Sequence, residues 1–341
     1  MNGRNREFHV QGSFEYNRRS PARWILSHMM RYPLLPVLLV AASAVNNTAY
    51  GNIQVYVGKS FDALLGAAAG AAGAALLLPA AVMAASALLQ GLTGLLRNYS
   101  VEILAQRLER DCREEYYASL LEKSRTFHGR RRVGDLMARA TFDVHTLNLM
   151  FSPGFMLIVD SAFAYLMPLA MIGFIHPELL VTPLVFTLFL GITLTDYNRR
   201  LAPVSMAQQD QFGKLSAGVE ETVAGITAVK SNVQERHELQ KFAFDARVFR
   251  DFFVRQGVIQ ARYWPMLVFA VFYGAALLHG LFLWRRGAVS LGQVIGFMGL
   301  FNTFRFVTYI SLFSFNTVQH GLAGAARILE VLNPETDLDQ N

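Results

Sequence analysis

Six apolar stretches, near residues 33–57, 74–96, 151–175, 178–197, 260–283 and 291–317, constrain this chain more than any other feature of its sequence. The hydrocarbon core of a bilayer takes about 20 helical residues to cross. Inside it every backbone N–H and C=O must be paired within its own segment, so apolar stretches of this length fold as helices. They place the chain among all-α membrane proteins with six transmembrane helices. The composition agrees: 53% of residues are hydrophobic, 16% are charged, and the mean hydropathy is +0.29. One cysteine, Cys112, excludes an intrachain disulfide and a cysteine-based metal site. It falls on a helix predicted to be cytosolic, where a thiol stays reduced.

The connections between the stretches are unequal. Spans three and four meet in a tight hairpin at His176-Pro177, whereas 97–150 and 198–259 are long and polar. In the first of these, Leu104, Leu108, Cys112, Tyr116 and Leu120 recur at every fourth residue, with Arg107, Arg110, Arg113 and Glu114 elsewhere. In the second, Phe212, Leu215, Val219, Val223 and Ile226 make a similar stripe. Spans two to five are therefore expected to continue as helices tens of ångströms beyond the membrane. Of 31 Lys and Arg, six precede the first span, ten lie from Arg97 to Arg139 and ten from Arg199 to Arg262. Only Lys59, Arg285 and Arg286 fall on the opposite side, which puts the long connections and both termini in the cytosol. The excess of basic charge is thus topological. No patch interleaves basic and aromatic residues as a nucleic-acid groove would.

Residues 1–19 read as a polar cytosolic tail without the apolar run of a signal peptide. Ser20-Pro21 starts a helix over 20–32, and Trp24, Ile25 and Met29 suit one lying in the membrane interface. The Ala/Gly run at 66–75 reads as an external loop leading into the second span.

Two cytosolic stretches carry a resemblance. The first, FHGRRRVGDLMARATFDVHTL at 127–147, has Phe127, Gly134, Asp135, Leu136, Arg139, Asp143 and Val144 in the order of the first coupling loop of ABC exporters. His128 and Phe142 depart from that pattern. The second, Leu215 to Phe244, has Glu220-Glu221, Gly225-Ile226, Val229-Lys230, Glu235 and Phe242, and resembles the second coupling loop of the same family. VSLGQVIGFMGLFNTF (289–304) and AARILEVLNPE (325–335) are similar to the family's start of and exit from its sixth span. In its own terms Gly134 permits a turn, and Asp135 is placed to cap a short helix after it.

What the resemblance implies is an ABC-exporter transmembrane domain over 33–318, with an elbow helix at 20–32 and a linker at 319–341 towards a nucleotide-binding domain. Such a unit works with a second transmembrane half, as a homo- or heterodimer with domain-swapped levers, in a lipid bilayer. The resemblance implies the inner (plasma) membrane of a bacterium. Phe127, Gly134, Asp135, Arg139, Asp143, Gly225, Val229 and Lys230 are the implied coupling residues. ATP and Mg would sit on the nucleotide-binding domain. No phosphate-cradling loop is found here: Val57-Gly58-Lys59-Ser60 ends like one, but Ile53 stands where the first glycine should be. No ATPase site, cofactor site, catalytic residue or metal site is therefore expected in this chain. Because it stops inside the linker, it is expected to be a piece of a fused transporter, the other form being a separate ATPase polypeptide.

Charge is expensive in hydrocarbon, so ionisable residues within the spans are functional candidates. Arg305 and Asp160 are read as lining a substrate cavity; the other reading has Arg305 paired with Asp160, or near enough to the cytosolic half to reach water. Asn46, Asn47 and His279 are weaker candidates, and Asn46 and Asn47 are also suited to bridging helices. A substrate that is amphipathic, lipid-like or drug-like is the expectation. A non-transporting scaffold or regulator on this fold, and an ion-coupled carrier or channel, stay open beside it.

Overall fold

The computed structural model describes residues 14, 16–66, 72–262 and 264–333, and among these there are helices and no strand. Two compact units emerge, one from Met1–Leu180 with Leu277–Asn341, the other Val181–Ala276. The predicted tail lies mostly outside the described residues, as do 67–71 of the Ala/Gly run and 334–341 of the predicted linker.

The first unit begins with α1 (Pro21–Met30). Ser20 caps it by accepting from the Arg23 N–H at 3.3 Å, and Pro21 occupies the first turn, where a missing N–H costs nothing. Trp24 and Ile25 are buried in the core of this unit. Then come α2 (Leu34–Gly66) and α3 (Ala72–Leu121). At 50 residues α3 is about 75 Å long, against a hydrocarbon core of about 30 Å, so more than half of it projects beyond a membrane. Leu104, Leu108, Cys112 and Tyr116 are buried along that projection, as the period-four stripe requires.

At the tip lie α4 (Arg125–Arg130) and α5 (Val133–Ala138). A π-helical turn, Arg139–Asp143, leads into α6 (Val144–Leu149) and a second, Met150–Phe155, into α7 (Met156–Ile175). The expected third span thus starts at a kink: Ser152 leaves helical geometry (φ −119°, ψ 102°) ahead of Pro153. The hairpin at Pro177 is a single 3-10 turn, Pro177–Leu180. α12 (Leu291–Leu332) returns to this unit and is continuous for 42 residues, through what the sequence suggested was the start of the linker. Trp24, Leu104, Leu147, Phe151 and Ile328 are among the residues of the core these elements share.

The second unit holds α8 (Val181–Ala224), α9 (Ile226–Ser231), α10 (Glu235–Ala261) and the first turns of α11 (Trp264–Arg285). Aromatic pairs join its helices: Phe186 to Phe269 at 5.9 Å, Phe189 to Phe272 at 5.4 Å and Phe212 to Phe249 at 5.6 Å between ring centres.

Among the described residues, five helical runs are long and apolar enough to cross a membrane: Leu34–Gly66, Gly73–Leu121, Val133–Ile175, Pro177–Ala224 and Glu235–Arg285. The sixth expected span lies in α12, which is less apolar because it carries Gln293, Asn302 and Arg305. The protein is an integral, multi-pass membrane protein.

Candidate coupling region and transmembrane polar cluster

The first tip is built around one buried arginine. Arg139, at the end of α5, donates from Nη1 to the Arg327 carbonyl and to Glu330 Oε2 (3.1 Å) on α12. Its Nη2 lies 3.3 Å from Asp135 Oδ2. One turn on, the Asp143 carboxylate accepts two bonds from Arg327, from Nε at 3.0 Å and Nη2 at 2.7 Å. That fork, with its Asp143 partner, holds the Arg327 guanidinium still further on its charged side. Asp143 is buried although its partner is half-exposed. Backbones approach closely here: a side chain on Gly324 would start 2.4 Å from Thr146 Oγ1, and one on Gly321 within 2.5 Å of Met150. The tip and the exit of α12 are therefore latched by charge and packed without slack.

The roles differ in detail from the sequence reading. Asp135 sits in the first turn of α5, where a carboxylate suits the helix dipole, but it makes no cap; Arg132 holds the cap position without a side-chain bond. Gly134 lies inside α5 with open space around it. Phe127, on α4, packs against the core and has the Lys123 and Arg131 cations 5.7 Å and 5.8 Å from its ring centre. Around it Arg125, His128, Arg130, Arg132, Val133 and Met137 are exposed.

The second tip belongs to the other unit. Gly225 breaks the helical run and caps α9, a six-residue helix with no buried residue. Beside it a groove of about 290 Å³ runs between α8 and α10, walled by Leu215, Val219, Val223, Ile226, Leu239 and Phe242. Its polar rim is satisfied: Lys230 pairs with Glu235 (3.0 Å), Lys241 with Glu221 (3.1 Å), and Thr222 donates to Glu238 (2.7 Å). What it leaves open is apolar, with Val223 65% and Leu239 67% exposed. Val229 and Lys230 line this groove beside Ile226.

Among the transmembrane candidates, Arg97, not Arg305, holds Asp160, at 2.5 Å. Asn47 donates to the same Asp160 oxygen at 3.0 Å and to the Ser43 carbonyl at 2.9 Å. This ion pair thus joins α2, α3 and α7. Asn46 donates to the Gln90 carbonyl (2.6 Å) and Thr93 Oγ1 (3.3 Å), which makes it a bridge between α2 and α3. Arg305 is exposed on α12 and has no ion-pair partner among the described residues. Among those residues there is also no cluster of three or more His, Cys, Asp or Glu able to hold a metal ion.

Sequence reasoning missed Arg97, Arg327 and Glu330. Arg97 stands one residue past the expected end of span two, close enough to turn back into it. Arg327 and Glu330, three apart on one helix, share a face, and this was the available signal.

Comparison with known proteins follows the same lines. The family model for the ABC transporter transmembrane region matches residues 37–307. An uncharacterized ABC transporter ATP-binding protein of Bacillus subtilis is 23% identical over 252 residues, 73% of this chain and 43% of that protein. A probable multidrug resistance ABC transporter ATP-binding/permease protein of the same organism is 27% identical, covering 69% of this chain and 40% of its own length. The ATP-dependent lipid A-core flippase of Pseudomonas aeruginosa is 25% identical, covering 74% and 42%. The chain spans about two fifths of the length of these relatives.

Proposed function

Because this chain belongs to the ABC transporter transmembrane region family, we propose that it is the permease half of an ATP-driven exporter. It moves an amphipathic, lipid-like or drug-like substrate by alternating access, in the inner membrane of a bacterium, with both termini in the cytosol. A second transmembrane half completes the pathway. Nucleotide-binding domains carry the ATP and Mg and dock on the two tips, α4–α5 and α9. Chemistry in this chain is mechanical: closure of the ATPase biases a two-state rearrangement of the helices.

The observation that carries the reading is α9 with its groove. A six-residue helix without one buried residue, set at the end of a 44-residue lever beside open apolar surface, is a docking element without its partner. The latch from Asp143 and Arg139 to α12 supports the same reading, since it makes the first tip and the exit of α12 move together.

The test is purification from native membranes with vanadate-sensitive ATPase activity read on the same sample, for wild type and Ile226→Asp. The reading expects ATPase with the wild type, and loss of the ATPase partner or of its substrate stimulation in a variant that keeps its helicity. Undiminished, stimulated ATPase in Ile226→Asp refutes docking at α9. Wild-type protein without any ATPase leaves the scaffold or regulator reading in its place.

A further inference from the structure

Two buried carboxylates, one turn apart on α3, hold α1 and the residues just ahead of it. Asp111 accepts from Arg31 Nη1 at 3.0 Å and from the Tyr32 hydroxyl at 2.8 Å, where α1 ends. Glu115 accepts from Trp24 Nε1 at 2.9 Å and lies 3.3 Å from His28 Nε2. Its other oxygen takes the Arg18 Nε–H at 2.7 Å, from the segment ahead of α1. That segment, Phe14 with residues 16–20, lies back along the helix. The Asn17 N–H donates to Ser27 Oγ at 3.1 Å, and Arg31 donates to the Tyr16 hydroxyl at 2.8 Å. The Tyr16 ring stacks on that of His28 with centres 3.5 Å apart, and Phe14 sits 5.1 Å from Tyr16.

The same segment meets the last turns of α12 by different means. Tyr16 packs against the core that contains Ala325, Ile328, Leu329, Val331 and Leu332, and Asn333 Nδ2 donates to the Arg18 carbonyl at 3.2 Å. Among the described residues no ion pair joins this segment or α1 to α12. The grip is therefore lopsided. Bonds to a buried carboxylate are directional and costly to break, whereas apolar packing has no direction and lets helices slide. The last four carbonyls of a helix also have no partner within it, so a final turn frays unless something covers it.

We infer that Phe14 and residues 16–20 are a strap, fastened by charge to α3, that keeps the last turns of α12 seated and helical. It adds a separate hold to the latch that Asp143 and Arg139 make on the same end of α12. Seated, the strap makes α3 and the exit of α12 move as one. Displaced, it leaves that exit to slide and fray, and a load carried along α12 is dissipated there. The strap itself goes beyond the permease reading; its part in transmission rests on that reading.

The experiment follows hydrogen–deuterium exchange, peptide by peptide, in the full chain in nanodiscs. Arg18→Ala removes the ion pair at a partly exposed guanidinium and leaves the core of the unit intact. Amides of 325–333 are expected to exchange about five- to thirtyfold faster, and those of 291–300, at the other end of α12, at the wild-type rate. Arg18→Lys, which keeps the charge, recovers most of the protection. Asn333→Ala, which takes away only the amide, speeds exchange over the same residues about two- to tenfold. Wild-type protection at 325–333 in Arg18→Ala overturns the inference. So does faster exchange spread evenly over α3 and the whole of α12, the mark of a general loosening. Transmission is read in the complex purified from native membranes and trapped with ATP, Mg and vanadate. Trapping is expected to alter exchange at mid-length of α12 in wild type, and to do so less in Arg18→Ala. An equal change in both refutes the transmission role and leaves the strap standing on the exchange at 325–333. A wild type that recruits no ATPase removes the permease reading instead.

Discussion

Cutting the latch between Asp143 and Arg327 separately from each side is the sharpest check on how the first tip is held. The two partners are not equivalent: the Asp143 side chain is 8% exposed and that of Arg327 46%. Arg327→Ala strands a buried carboxylate, a loss of the kind that costs about 3 kcal/mol or more. Asp143→Ala leaves an arginine that can turn to water, at about 1–2 kcal/mol. The Arg139 bond to the Arg327 carbonyl is to the main chain and survives both changes. The double variant should therefore be more stable than the sum of the singles predicts, by a coupling of about 1–2 kcal/mol. The assay is unfolding of the detergent-solubilised chain by SDS titration, followed by far-UV circular dichroism, on wild type, both singles and the double. A coupling below about 0.5 kcal/mol, which is within ordinary non-additivity, or an Asp143→Ala costlier than Arg327→Ala, refutes the reasoning.

Other outcomes are open to the same assay. Gly292→Val should destabilise by at least about 1–3 kcal/mol, because its Cβ would lie 2.1 Å from the Gly58 carbonyl oxygen, whereas Gly91→Ala, with nothing within 4 Å, should be neutral or mildly stabilising. Arg97→Met should cost several kcal/mol by stranding Asp160 inside the span, and Arg97→Met with Asp160→Leu should recover most of that; equal losses in single and double variants would exclude a genuine pair. Burial opposes ionisation of Glu115, but His28 and Arg18 more than offset it and hold its carboxyl below the usual glutamate range. With the folded value depressed, its contribution is present at neutral pH and is lost as pH falls through that lowered value, so the difference between wild type and Glu115→Gln should be largest at pH 7 and shrink on acidification.

Much of the fold could be read from periodicity and charge. The stripe from Leu104 to Leu120 foretold a helix running far past the membrane, and Ser20-Pro21 foretold the start of α1, whereas the stripe from Phe212 to Ile226 runs straight across Gly225, where α8 gives way to α9. These are local signals, carried by residues within a few turns of one another. The partner of Asp160 was not legible in this way, because Arg97 lies 63 residues away and its charge looked like one more cytosolic arginine. Nor was the bond from Asp143 to Arg327, which joins residues 184 apart. Period and composition say which face of a helix is buried; they do not say which helix buries it. Gly58-Lys59-Ser60 shows the difference: as a phosphate loop it fails, and the structure uses Gly58 as the point where α2 and α12 touch.

That contact has a counterpart at the far end of the same helix. At its first turn α12 is held by Asp62, which accepts from Ser290 Oγ and from the Gly292 N–H (2.8 Å). At its last turns it is held by Asp143 and Arg139. A rod built in at both ends does not swing; it bows, and its deflection is greatest at mid-length. The stretch from Asn302 to Phe313 occupies that part of α12, so a load applied at either anchor is felt there as curvature.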